Sequence, residues 1–227
     1  MTAIKERPIL FSAPMVCATL EDRKTVTRRE VKKRPALDCL AAGFEPAFLT
    51  LPGNADLCPY GKPGDRLWVR ETFYAFGRWE MRFSQKKGRD EWHFVDMTLD
   101  LNKVYQFEPP QNYQLGQRGD VTPAWWKRPA IFTPRAASRI LLEITDVRVE
   151  RLQDISDEQA LAEGIIPHVR GGWHWHPHDP SNVDDWHQFG FKTPVWAFHD
   201  LWAGINGQEN WDANPWVWAV SFRRVTP

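Results

Sequence analysis

The sequence predicts an α+β fold: a small, strongly bent mixed β-barrel with short flanking helices and large insertions. Three observations point there. Short apolar runs with strand-like alternation recur along the chain, down to the final segment WVWAVSFRRV. Helical patterns are few and short. The 18 Pro of the chain interrupt regular structure too often for a parallel α/β sheet with long crossover helices.

Taken in order, RPILFS (7–12) is a short apolar run behind a proline and predicts the first strand. APMVCATLEDRK (13–24) places Met15, Val16, Thr19 and Leu20 at one-turn spacing, which predicts a short helix. TVTRREV (25–31) alternates β-branched residues and should be extended. Residues 32–60 lose periodicity and read as an insertion. In PGDRLWVRETF (63–73) a Pro-Gly-Asp turn leads into a strand. Residues 77–130 read as a second insertion holding weak strand candidates, EWHFVDM and KVYQF among them.

ASRILLEITDVRVERL (137–152) is the strongest strand signal, and its apolar positions change parity at Thr145-Asp146, which predicts a bulge. In DISDEQALAEGII, Ser156 and Gln159 form a capping box and Gly164 ends a helix of about two turns with Glu163 at its close. Residues 167–192 are a third insertion. TPVWAFHDLWAGING (193–207) predicts an amphipathic helix capped by Thr193, with Pro194 at its first position and Gly207 at its end. Residues 216–225 make the closing strand. The whole, residues 1–227, reads as one domain with insertions at about 32–60, 77–130 and 167–192.

Composition excludes several classes. Equal numbers of basic and acidic residues, 29 each, give no global field for nucleic acid. No run of 18 apolar residues predicts a membrane span, and MTAIKERPIL lacks the apolar core of a signal peptide. Three cysteines make no disulfide framework. A cytoplasmic protein without a membrane partner is expected.

Charge is nonetheless uneven. From Glu21 to Arg34 seven Lys or Arg face three acids, and the run includes RKTVTRR (23–29). Lys24 and Thr27 lie three apart, and a tight turn after the helix would aim both into one pocket. Burial and the neighbouring Arg23, Arg28 and Arg29 disfavour the Lys24 ammonium form. A neutral lysine can take the proton of a threonine hydroxyl, otherwise a poor nucleophile. The alternative is a solvated basic edge.

Several stretches together resemble the ASCH domain family of PUA-like barrels. KTVTR resembles the GxKxxTxR signature, with Asp22 where the family has Gly. PGDRLWVRE resembles a second family block, and VRVERLQDISDEQALAEGI a third. SAPMVCATLEDRKTVTRR and NPWVWAVSFRR are similar to phage and prophage ASCH proteins. These pieces cover roughly half the chain. The resemblance implies a PUA-like fold and, within the family, likeness to small bacterial amidohydrolases that cleave N4-acetylcytidine to cytidine and acetate. On that likeness Lys24 would be the base, Thr27 the nucleophile and Glu163 the proton donor; Glu163 stands eleven residues after Leu152, the offset found in those enzymes. Arg29 would sit near the developing oxyanion or the O2 of the base, or else form an ion pair inside the barrel. Other ASCH proteins are proposed RNA binders or ribonucleases.

Two further residues are candidates for substrate binding. Glu71, just after the barrel strand, is placed to accept from the amino group of a base or to pair with Arg70 or Arg66. Trp68 offers a ring for stacking on a pyrimidine, or for core packing. His174, His176 and His178 alternate in GWHWHPHD, a spacing that can hold Zn or Ni, but within a Gly- and Pro-rich insertion; no metal or cofactor is expected. PAWWKRPAIFTPR interleaves aromatics with cations and suits RNA or single-stranded nucleic acid. The expectation is an amidohydrolase acting on a modified cytosine nucleoside, the alternative an RNA-binding or ribonuclease module of phage type.

Overall fold

A computed structural model describes residues 4–111, 113, 116–179, 181 and 189–225. Of the stretches expected as insertions, residues 112, 114–115, 180 and 182–188 lie outside the described residues. The chain divides into two compact units, one from Met1–Val69 and Arg139–Pro227, the other from Arg70–Ser138.

The first unit opens with β1 (Glu6–Leu10), α1 (Ala13–Leu20) and β2 (Val26–Glu30). Next come α2 (Arg34–Ala41), two single 3₁₀ turns (Pro46–Thr50 and Pro52–Leu57) and β3 (Arg66–Arg70). The second unit then supplies β4 (Phe73–Ser84), β5 (Arg89–Asp96) and β6 (Ala124–Arg128). The chain returns to the first unit as β7 (Leu141–Arg151), α3 (Asp157–Ala162), the short β8 (Ile166–Pro167) and β9 (Trp173–His174), α4 (Pro194–Asn206), α5 (Gln208–Asp212) and β10 (Trp216–Val225). The fold is thus mixed α+β.

The first unit is built on a five-stranded sheet in the order β1-β3-β7-β10-β2. Along β10, Trp218, Val220 and Phe222 enter the larger core with Ile9, Phe11, Leu67 and Val69, while Val217 enters a smaller one with Phe198 and Trp202 of α4. That is the period-two division of a strand packed on both faces. The expected bulge is present: Ser221 faces Asp146 and Phe222 faces Ile144, so Thr145 is the extra residue. Because of it, Leu142 and Ile144 on one side and Val147 and Val149 on the other all reach the same core.

The closed barrel expected from the sequence is not formed. The sheet is open, with β1 and β2 as its edges. Each edge strand has only five residues, and β1 gives way to α1 before a further ladder can form. A side chain joins the edges instead: Arg29 of β2 donates from Nη2 to the Leu10 carbonyl at 2.9 Å.

In the second unit the sheet order is β5-β4-β6, all antiparallel. EWHFVD is a strand as expected, whereas KVYQF contributes only one bridge, Gln106 to Tyr74. Gly77 lets β5 come close, since a Cβ there would lie 2.1 Å from the Val95 carbonyl oxygen. Trp126 donates from Nε1 to the Gly77 carbonyl at 3.0 Å.

Candidate active site

The turn that carries Lys24 is made by local backbone bonds and then clamped to α3. After α1, the Arg23 and Lys24 amides both donate to the Ala18 carbonyl at 2.9 and 3.0 Å. Asp22 takes φ +56°, the left-handed conformation that its glycine counterpart in the resembled signature would favour. Arg224 holds it there through two bonds of 3.0 and 2.9 Å. Three contacts then tie the turn to the segment after α3. The Thr25 amide donates to the Ala162 carbonyl at 2.9 Å, Arg23 to the Gly164 carbonyl at 3.1 Å, and Lys24 Nζ to the Glu163 carbonyl at 3.0 Å.

Gly164 makes this approach possible. It ends α3 at φ +103°, and a Cβ there would stand 2.9 Å from the Cβ of Ala18 and 3.5 Å from that of Lys24. The capping box of Ser156 and Gln159 fixes the other end of α3. Glu163 is therefore held by both ends of a two-turn helix.

Lys24 is 2% exposed and Glu163 3%. Lys24 Nζ donates to Glu163 Oε2 at 2.6 Å and to the Val26 carbonyl at 2.8 Å, which with the Glu163 carbonyl occupies all three ammonium protons. The second oxygen, Glu163 Oε1, accepts from Arg28 at 3.2 Å, and Arg28 pairs through its other terminal nitrogen with Glu150. Buried Lys24 and Arg28 thus meet the buried Glu163 and the partly exposed Glu150, which Arg148 also approaches at 3.8 Å, with the Phe11 ring 5.6 Å from Lys24 Nζ and the Phe198 ring 5.9 Å from Arg28. Burial pushes the Lys24 amine below the usual lysine range; Glu163 opposes the shift, and Arg29 and Arg28 add to it.

Thr27 lies three residues on, opposite Val220 in the β2–β10 ladder. It is 0% exposed, and its Oγ1 has no hydrogen-bond partner. A buried, unpaired hydroxyl costs about 1–3 kcal/mol, so its presence asks for a reason. Strand alternation turns Arg28 to the opposite face of β2, with Ala219, and returns Arg29 to the Thr27 face, with Trp218.

A cavity of about 670 Å³ adjoins the cluster, within the usual size of small-molecule sites. Because β2 is an edge strand, Arg28 and Arg29 from its two faces both line it, along with Glu163 and the rings of Phe11, Tyr60, Phe198 and Trp202. Burial raises the Tyr60 phenol above its usual range, with Arg29 acting against the rise.

No protein-family model, curated protein or solved structure matches this chain.

Of the residues singled out in the sequence, Lys24 and Glu163 bond each other and Glu163 and Arg29 line the cavity, whereas Lys24 and Thr27 do not line it, and Thr27 lies on the face of β2 opposite Arg28. Trp68 lies half-buried on β3, opposite Leu141, and does not line the cavity. Glu71 belongs to the second unit, where it is buried and its carbonyl accepts from Thr133 Oγ1 at 2.8 Å. His174 packs against His168 and His176, but among the described residues no three His, Cys, Asp or Glu are placed to hold a metal ion. Trp125 and Trp126 serve the packing of their own sheet, against Phe76 and Trp79. No helix among the described residues is long and apolar enough to cross a membrane.

Sequence reasoning missed the Arg28–Glu150 half of the cluster. The only signal for Arg28 is its place in an alternating strand beside Thr27; Glu150 would have required the registers of β2 and β7 on β10.

Proposed function

We propose that this protein is an ASCH-type, PUA-like amidohydrolase that cleaves the N4-acyl amide of a modified cytosine nucleoside. The observation that carries the reading is the buried Thr27 hydroxyl without a partner, three residues from a lysine bonded directly to a carboxylate. The motif resemblance adds the same three residues in the same roles.

A single proton moved across the 2.6 Å Lys24–Glu163 bond turns the ion pair into a neutral amine and a carboxylic acid, the base and acid that the reaction requires. Arg28, which stabilises the carboxylate, opposes that step; burial of Lys24 favours it. In the proposed reaction Thr27 Oγ attacks the amide carbonyl carbon while its proton passes to Lys24, which exchanges one of its present acceptors for Thr27. The C–N bond then breaks as Glu163 protonates the exocyclic nitrogen of cytosine. The acyl-threonine left behind is hydrolysed by water, whose proton goes to Glu163 while Lys24 returns a proton to Thr27 Oγ. The neutral pair is restored.

The test is turnover of N4-acetylcytidine, followed by its change in absorbance, for the wild type and Thr27→Val. Valine has the shape of threonine and removes only the unpaired hydroxyl. Thr27→Val is expected to be at least as stable as the wild type in thermal melts, yet to lose hydrolysis altogether. A wild type with no turnover on acetyl or bulkier acyl substrates, or a Thr27→Val variant that retains it, overturns the proposal. Binding of RNA or DNA by that inactive wild type would then favour the binding-module reading.

A further inference from the structure

The cavity beside Glu163 holds more positive charge than its own carboxylates neutralise. Its walls carry Arg28, Arg29, Lys32 and Lys33 against Glu30 and Glu163. Arg28 is committed to Glu150 and Glu163, and Lys32 stands 3.3 Å from Glu30. Arg29 and Lys33 are placed differently. Arg29 donates to the carbonyls of Arg28 and Leu10, each at 2.9 Å, and Lys33 donates to the carbonyl of Asp56. A carbonyl accepts a proton but leaves the cation's charge in place. Among the described residues neither side chain is ion-paired with a carboxylate. Arg29 is half-buried, and a guanidinium does not escape that cost by losing its proton. A cation fixed at the wall of a cavity, with no anion of its own, is ready for an anion brought by the ligand.

Depth separates the two kinds of group. Glu163 and Arg28 are buried, whereas Lys32 and Lys33 are exposed. Residues 28–30 end β2 and 31–33 lead on to α2, at roughly 3.3 Å per extended residue. The cavity therefore runs from a proton-donating floor, past ring faces, to a cationic rim. A base at the floor with a ribose phosphate at the rim matches that order.

We infer that the substrate carries a phosphate ester on its ribose: an N4-acylated cytidine monophosphate rather than the free nucleoside, held by Arg29 and Lys33. The inference rests on the proposed hydrolase reading for the identity of the base, while the phosphate site rests on the cations alone. It concerns one nucleotide, since a cavity of about 670 Å³ is of single-ligand size.

The experiment has a binding arm and a turnover arm. Calorimetry compares cytidine with cytidine 5′-monophosphate, on the wild type and on Lys33→Glu, an exposed substitution with little reach into the core. The monophosphate is expected to bind about tenfold tighter at low salt. That advantage should shrink as salt is raised and fall to near unity in Lys33→Glu. Equal affinity of the two ligands for the wild type, or an advantage unchanged in Lys33→Glu, overturns the inference. In the turnover arm kcat/KM is compared for N4-acetylcytidine, its 5′-monophosphate and a short RNA with an internal N4-acetylcytidine. Preference for the monophosphate supports the inference, and faster turnover of the RNA overturns it. A Lys33-dependent phosphate advantage with no hydrolysis of any substrate upholds the phosphate site and removes the hydrolase reading. Hydrolysis without phosphate advantage does the reverse.

Discussion

Arg28 in the first unit and Arg128 in the second are both buried, yet their surroundings stabilise a guanidinium by different means, directly bonded carboxylates for Arg28 and ring faces, with the charge of Asp96 in support, for Arg128. Arg28 meets two carboxylates, Glu163 and Glu150. Arg128 meets rings, those of Phe94, Phe132 and Trp79, at 4.4, 4.7 and 4.9 Å from its Cζ. Arg118 lies over the same Trp79 ring at 4.7 Å. Ring faces attract a cation through their quadrupole but neither accept nor give a proton. Carboxylates do both. A lysine–carboxylate bond holds a transferable proton, and a ring face does not. In PAWWKR the Trp125 and Trp126 rings pack on Phe76 and Trp79, whereas in KTVTR the lysine is bonded to a carboxylate.

The comparison breaks most readily at Glu163. Glu163→Leu leaves Lys24 and half of Arg28 buried without a counter-charge, a class of change that costs about 3–5 kcal/mol. Thermal or urea unfolding should show that loss, together with loss of hydrolysis. Glu163→Gln, which keeps the shape and an acceptor, separates the two effects: it should fold and remain inactive. A Glu163→Leu variant as stable as the wild type would mean that the Lys24–Glu163 pair is not dry.

A smaller effect is expected at the other pole. Arg128→Met keeps an apolar stem among the rings and removes only the cation, so the loss should be about 1–2 kcal/mol. Amide hydrolysis should be unchanged, since none of the described residues of the second unit, Arg128 included, lines the cavity. Equal destabilisation by Arg128→Met and Glu163→Leu would erase the distinction between ring and carboxylate stabilisation.

Legibility in the sequence follows the range of the interactions concerned. The Thr145 bulge, the Ser156–Gln159 capping box and the Thr193-to-Gly207 helix are each written within a dozen residues or so, and each forms as expected. β4 was also visible in principle, since Arg78, Glu80 and Arg82 alternate with Trp79, Met81 and Phe83; Gly77 obscured its length. Closure of the sheet was not legible, because it depends on whether two five-residue edges find each other. The same holds for the site. Lys24 and Thr27 announce themselves through spacing, and Glu163 through a motif. Arg28 and Glu150 meet only because β2 and β7 flank β10 in a given register.

The smallest effect concerns Asp22, and its sign depends on pH. A non-glycine residue at φ +56° is strained, and Asp22→Gly relieves that strain while removing the bonds to Arg224. The hydrogen bond from Arg224 holds the Asp22 carboxyl below the usual carboxylate range, with a little burial acting the other way. A depressed carboxylate contributes stability that is fully present above the unfolded value, about 3.9, and that is lost as pH falls through the folded value. At pH 7 the pair is intact, but it is exposed at the surface and weak, so gain and loss nearly cancel. As pH falls below the unfolded value, the wild type progressively loses the pair, whereas the variant has none to lose. Asp22→Gly should therefore gain in Tm relative to the wild type as the solution is acidified, and raised salt at pH 7 should move the difference the same way. A Tm difference independent of both pH and salt would show that Arg224 does not hold the turn, leaving backbone strain as the sole distinction between aspartate and glycine before Lys24.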